Sequence, residues 1–247
     1  MKLRGLFTLL IISLLIVTGC SWEKKNIISP SFSTVSNKEF DSQSLNKDFP
    51  FLLIDSTEVK KIKSGGSSVA EVSKEYNDLE EMVKLSHAIF KGTVINVAYF
   101  DKDGTTCTKY AVKISDVFKG TLTKDDVVNV IELGGVTTAY NRIQLFGKEK
   151  EFPNISEDDS KKLYVEVGWN GTPLSVVGDK VLLLAYQDTK DYWNLPKDYY
   201  YAKGYKDGKF NIEGTNVERK SMDKNRNSLK MSEENIDAQI KKYMAKA

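Results

Sequence analysis

Cysteine and histidine are nearly missing from this chain: 247 residues carry 2 Cys and 1 His. Two thiols cannot build a disulfide framework, and one imidazole leaves no zinc site of several histidines. A Ser-His-Asp triad would have to rest on His87, and neither a Gly-x-Ser-x-Gly elbow nor a phosphate-binding glycine loop is present. Proline is scarce as well, 5 residues beside 16 Gly, and with 40% hydrophobic and 28% charged residues this excludes collagen-like, low-complexity and wholly disordered chains. Net charge is also lacking. The chain has 36 Lys+Arg against 34 Asp+Glu, and the two surplus cations, Lys2 and Arg4, lie in the first 19 residues, which hold no acid. The remaining 34 against 34 provide no field to attract nucleic acid or anionic lipid, so nucleic acid is not an expected partner.

Motifs for catalysis are equally thin. Asp101-Lys102-Asp103-Gly104 begins like a calcium loop but lacks the third acidic position and the distal Glu, so it reads as a hairpin turn. Glu157, Asp158 and Asp159 sit together in a Lys-flanked polar stretch and read as solvated. Cys107 has no base nearby in sequence and reads as a half-buried structural thiol; His87 reads as a polar residue at a helix end. No catalytic residue, metal or cofactor is expected, and the chain is not read as an enzyme.

The strongest positive feature is at the N-terminus. Lys2 and Arg4 precede Leu6 to Val17, a 12-residue run that is almost continuously apolar, and small residues then lead to Cys20. This is the pattern of an export signal, and the run is too short for a permanent membrane helix, which needs about 20 residues. Val17-Thr18-Gly19-Cys20 resembles the lipobox of bacterial lipoproteins. The resemblance implies that Cys20 takes a diacylglycerol thioether and becomes the mature N-terminus. Two or more acyl chains, at about 0.8 kcal/mol per buried methylene, would then hold the body to the bacterial cell membrane on its extracytoplasmic side.

Three regions follow from this: a signal peptide over 1–19, a lipidated tether over 20–48, and one folded domain over 49–247. Ser21 to Asp48 is rich in Ser, Asn and Lys without an apolar period, and if flexible reaches on the order of 30 Å. Phe49-Pro50-Phe51-Leu52-Leu53-Ile54 is the first dense apolar run. Val69, Val72, Tyr76, Leu79, Met82, Val83 and Ala88 recur at helical spacing. Strand patterns follow at 89–97, 110–118, 127–133, 163–167, 179–186, 199–202 and 209–212, with a polar stretch from 136 to about 162. Tyr205 to Phe210 reads as a tight hairpin. Ser232 caps a terminal helix that carries Ile236, Ile240, Tyr243 and Met244 on one face.

The expected class is therefore mainly β, with one helix before the strands and one at the C-terminus. Ser86-His87-Ala88-Ile89-Phe90-Lys91-Gly92-Thr93-Val94, then Tyr110 to Gly120, Gly134-Gly135, Val177 to Leu184 and Gly208-Lys209-Phe210 resemble, in this order, a bacterial surface module. That module has an OB-fold barrel similar to the tissue inhibitors of metalloproteinases. The resemblance spans about residues 79 to 213 and implies an OB-like antiparallel barrel. It does not carry over protease inhibition, because an acylated Cys20 offers no free amine to chelate zinc.

Aromatic residues crowd 186–210, and OB barrels bind extended ligands on one face and its loops. Trp193, Tyr192 and Trp169 are the candidate ligand-binding residues. The expected function is a lipid-anchored extracytoplasmic binding or interaction lipoprotein, with a surface protein or cell-wall polymer as partner. An inhibitor or immunity-type lipoprotein acting on a secreted enzyme is the alternative, with the polar stretch at 136–162 as its docking loop. Cys20→Ala is expected to leave the precursor unprocessed or released, read by membrane fractionation and gel mobility; normal retention of that variant refutes the lipobox reading.

Overall fold

A computed structural model describes residues 53–59, 62–64, 76, 78–147, 152–168, 173–187, 199–202, 207–219 and 229–246. The chain divides into a unit of residues 1–40, outside the described residues, and a unit of 41–247 to which every described residue belongs. The described part is mainly β, with 49% of residues in strands and 24% in helices.

Two 15-residue strands dominate, β3 (Ala88–Lys102) and β4 (Thr105–Lys119). They follow the short β1 (Ile54–Asp55) and β2 (Ile62–Ser64). β3 and β4 pair antiparallel along their whole length and are joined by Asp103 and Gly104, at φ 48° and 80°. Positive φ at both positions is what a two-residue type I′ hairpin turn requires, which is why Asp-Gly stands there. β4 pairs with β5 (Val127–Leu133). β5 then runs parallel to β9 (Tyr199–Ala202), β9 pairs antiparallel with β8 (Lys180–Gln187), and β8 pairs antiparallel with the first half of β3. The pairings therefore form a circuit, β3 to β4 to β5 to β9 to β8 and back to β3. Beyond the stretch that β8 occupies, β3 takes β1 at Ala98 and Tyr99.

β10 (Lys209–Glu213) also pairs with β8, on the edge that β9 uses, and β11 (Asn216–Glu218) and β12 (Lys230–Ser232) extend the sheet from it. This corrects the hairpin expected at Tyr205 to Phe210. β9 and β10 are both antiparallel to β8, hence run in the same direction, and a hairpin needs opposite directions. The polar stretch at 136–162 is also corrected. It contains β6 (Gly135–Thr138), α2 (Ala139–Phe146) and α3 (Glu157–Lys162), and β6 joins β7 (Tyr164–Val167) and β2 in a second, three-stranded sheet. Thr138 and Ser156 cap these helices, and a small core of Ala139, Phe152 and Val165 lies between them and the sheet. α3 is hidden by its polar and largely exposed residues, and α2 by its length of two turns, too short to show an apolar period.

Alternation sorts the strand residues onto two faces. One face of all five circuit strands supplies the main cluster, including Phe90, Tyr110, Val130, Leu183 and Tyr200. On the other face of β3 and β8, Ile89, Leu182 and Leu184 pack against α1 (Leu79–Leu85) and α4 (Glu233–Met244). Only 79–85 of the expected first helix is helical among the described residues, 65–75 lying outside them; Ser86 ends it and Ala88 already belongs to β3. Ser232 caps α4 through the Asn235 amide, and Ile236 and Ile240 are buried, as the spacing predicts. β3 bends where its register slips, at Ile89/Phe90, Lys91/Gly92 and Val94/Asn96. A side chain at Gly92 would run into Val112 Cγ1 and, at 2.5 Å, the Lys113 carbonyl, so only glycine allows the strands to approach this closely.

One polar contact fastens α4 to the sheet. Lys91, buried on β3, places its ammonium 2.6 Å from Glu233 and 2.7 Å from Asp237, with the Phe118 ring centroid 5.5 Å away. Burial by itself would lower its pKa, but the bonds to Asp237 and Glu233 outweigh burial and raise it above the ordinary 10.5. A raised folded-state pKa means the contribution to stability is complete below pH 10.5 and fades as the pH climbs through the folded value. Between pH about 9 and about 12, wild type is therefore expected to lose more stability than Lys91→Met, compared by urea midpoints; equal losses refute the coupling.

Candidate functional site

The residues singled out for function by sequence, Val17, Thr18, Gly19, Cys20, Trp169, Tyr192 and Trp193, lie outside the described residues. β8 ends at Gln187 and β9 begins at Tyr199, so 188–198, with Tyr192 and Trp193, connects two neighbouring circuit strands. Around the strand ends stands a polar and aromatic rim. His87, exposed just past α1, accepts a hydrogen bond at Nδ1 from the Gln187 amide at 3.1 Å and meets the Tyr186 ring edge-on at 6.4 Å. Tyr186 stacks on Tyr201 at 5.4 Å, and Gln187 Nε2 donates to the Tyr200 hydroxyl. Tyr199 and Tyr201 point to one face and Tyr200 to the other, and all three are buried.

A second constellation, invisible in sequence, lies within the main cluster. Glu132 is the one charged residue of β5 and shares the face of Val128 and Val130, while Lys209 opens β10 opposite Leu183. Their side chains, 3% and 4% exposed, meet at 2.6 Å. Lys209 Nζ also donates to Ser175 Oγ at 3.1 Å and to the Pro173 carbonyl at 3.3 Å, and Ser175 donates to the second Glu132 oxygen at 3.1 Å. The fully buried Tyr110 hydroxyl belongs to this group but makes no well-formed hydrogen bond among the described residues. Burial, reinforced by the Glu132 carboxylate, holds its pKa well above the ordinary tyrosine value, against a weaker opposing effect of the Ser175 hydroxyl.

A serine beside a lysine can be a nucleophile with its base. Here the Lys209 nitrogen donates to three acceptors, one of them the Glu132 carboxylate, which leaves it no free position to act as a base, and Ser175 is 1% exposed. The group's chemistry is structural: it satisfies a charge pair inside an apolar cluster. The signal that could have exposed it is a lone Glu at an inward position of an otherwise apolar strand.

The other sequence motifs resolve individually. Asp101 accepts from Thr106 at 2.7 Å, from Thr137, and from Asn141 at 2.7 Å, so its oxygens tie the β3–β4 tip to β6 and α2. Asp103 is exposed and pairs with Lys102. Glu157 to Asp159 are solvated as expected, but on the first turn of α3, where acids suit the helix dipole, and Glu157 pairs with Lys161. Cys107 is fully rather than half buried, because β4 is covered on both faces; burial first, and then the Asp101 carboxylate, push its thiol pKa up. Among the described residues no three His, Cys, Asp or Glu side chains converge as a metal site, and no helix is long and apolar enough to cross a membrane. Comparison with protein-family models, curated proteins and solved structures finds no match to the chain.

Replacing Lys209 by Met or Glu132 by Leu singly strands a buried charge and is expected to cost about 3–5 kcal/mol. The double replacement is expected to cost less than either single change, because no charge is left unpaired. Urea denaturation of the four proteins checks this; additive losses refute the pairing.

Proposed function

We propose that the protein is a lipid-anchored extracytoplasmic binding lipoprotein built on an OB-like barrel, which engages a surface protein or cell-wall polymer through the connection that carries Tyr192 and Trp193. The barrel reading is supported by the circuit of five strands and by its order. The last strand, β9, inserts between β5 and β8 instead of following β8 at the edge, as a five-stranded Greek-key barrel requires. The lipid anchor rests on Val17-Thr18-Gly19-Cys20 and the apolar run before it.

The observation that carries the binding reading is positional. An OB module binds through the face of its second and third strands and through the loops between strands one and two and between strands four and five. In this chain the first of those loops is the two-residue turn Asp103-Gly104, and the outward residues Cys107, Lys109 and Ala111 of β4 and Asn129, Ile131 and Leu133 of β5 are buried. The connection 188–198 is the remaining one; it carries Tyr192 and Trp193, and His87 and Tyr186 stand at the strand end from which it leaves. Aromatic side chains on such a loop offer large contact area at low entropic cost.

Full-length protein extracted from membranes in detergent is expected to retain a component of fractionated wall material or surface protein. Tyr192→Ala with Trp193→Ala is expected to weaken retention at least about tenfold, with Trp169→Ala as a separate probe of the second candidate. Undiminished retention by the double variant overturns the assignment of this connection.

A further inference from the structure

β3 marks two ends of the fold. Its first residue, Ala88, pairs with Ala185 of β8, and its last, Lys102, runs into the Asp103-Gly104 turn, on the order of 45 Å of strand away. The connection 188–198 leaves from the first end, where the Gln187 amide is bonded to His87. The chain enters the fold at the other. β1 is antiparallel to β3 and so runs away from the turn, with Ile54 opposite Tyr99. Five large hydrophobic side chains are exposed among the described residues. Leu85 stands near Ala88. Val176 and Val177 lie on the turn into β8, halfway along β3, where the Gly178 amide meets the Val94 carbonyl. Leu145 and Phe146, 45% and 55% exposed, are neighbours in the last turn of α2 and stand at the entry end: Leu145 Cδ2 lies 3.4 Å from where a side chain on Gly104 would begin. Their support is firm. Thr137 and Asn141 both donate to Asp101, beside the turn, and the Arg142 guanidinium stacks on the Phe146 ring at 4.4 Å.

We propose that Leu145 and Phe146 are a contact site for the bilayer surface, dipping into the boundary between headgroups and acyl chains. The inference rests on the lipid-anchored reading, which supplies the bilayer. The last turn of α2 carries no cation, the residue type that suits a helix C-terminus, but an exposed leucine and phenylalanine, the side chains that interfacial membrane contacts use. Size decides between occupants. Two half-exposed side chains of this kind offer on the order of 200 Å², whereas a stable protein interface takes about 800 Å² from each partner. A body already tethered to a membrane needs far less, because the second contact is intramolecular, at an effective concentration in the millimolar range. Position agrees with size: the end from which the chain arrives is the end that carries the pair. Lys102 and Asp103 at the turn neutralise each other, so the contact is apolar and not electrostatic. Its consequence is orientation. With the turn end on the bilayer, the connection 188–198 is held at the end that points away from the membrane, open to wall material and surface proteins.

Cys107 is fully buried and burial pushes its thiol pKa up, so a maleimide fluorophore takes an introduced surface thiol in its place. Gln144→Cys, at an exposed position beside the pair, and Leu85→Cys, at the opposite end, are each labelled in full-length protein. The protein is reconstituted into phosphatidylethanolamine–phosphatidylglycerol vesicles that contain a spin-labelled lipid as quencher. The fluorophore at position 144 is expected to be quenched and the one at position 85 to be spared. Leu145→Ser with Phe146→Ser, added to Gln144→Cys, is expected to lower the ratio of docked to free body at least about tenfold, which corresponds to about 1.4 kcal/mol of lost apolar burial. Phe146→Leu, which stays apolar, is expected to keep most of the quenching, and this separates lost insertion from lost folding. Absence of quenching at position 144, equal quenching at both positions, or quenching that survives the double replacement overturns the inference. Shielding of position 144 by detergent-extracted surface proteins but not by vesicles assigns the pair to a protein partner and overturns it too. Intact mass of the same sample reads acylation: a free Cys20 overturns the anchor reading alone, and the two positions are then compared in Cys20→Ser protein.

Discussion

The length of β3 is the constraint from which the rest of the fold follows. Fifteen residues of strand present two edges of backbone donors and acceptors, and each must be paired. β4 satisfies one edge throughout, while β8 and then β1 share the other. No flat sheet could bring β8 back against β3 after passing through β4, β5 and β9. β3 must coil, and it does so at three register slips, with Gly92 allowing the close approach that a side chain would block. The long hairpin therefore determines both the circuit and the main apolar cluster that all five of its strands share.

Charge is used inside this frame at two places with different effects. Glu132 and Lys209 are nearly inaccessible and satisfy each other together with Ser175, so they specify where β10 sits against β8 and β5. Removing either would leave a charge in a low-dielectric surrounding, which makes the pair a device for specificity more than for net stability. Lys91 is a fastener of another kind. Its aliphatic stem is buried while its carboxylate partners on α4 are partly exposed, so it adds a polar fastening to a helix otherwise held on the sheet face by Ile236, Ile240, Tyr243 and Met244.

Much of the strand content was legible because apolar alternation and turn residues are local signals. The patterns at 127–133 and 199–202 coincide with β5 and β9, and Asp103-Gly104 is the turn its residue types announce. Ser232 with the Ile236 and Ile240 spacing marked α4. What failed was of two kinds. β6, α2 and α3 were hidden by their shortness, since brief elements held by caps and a small core carry little apolar period. The supposed hairpin at 205–210 failed because turn residues tell that a chain bends, not which edge the next strand will find.

Residue types and spacing along the chain alone determined the near-neutral charge, the lipobox resemblance at Cys20, the aromatic crowding around Trp193 and the mainly β class, because these are properties of neighbours in sequence. Tertiary structure alone decided that β5 and β9 lie side by side and parallel, that Glu132 meets Lys209 across 77 positions, and that Cys107 is fully buried. Such contacts depend on which strands exhaust which edges, a condition of the whole sheet that no local stretch of sequence contains.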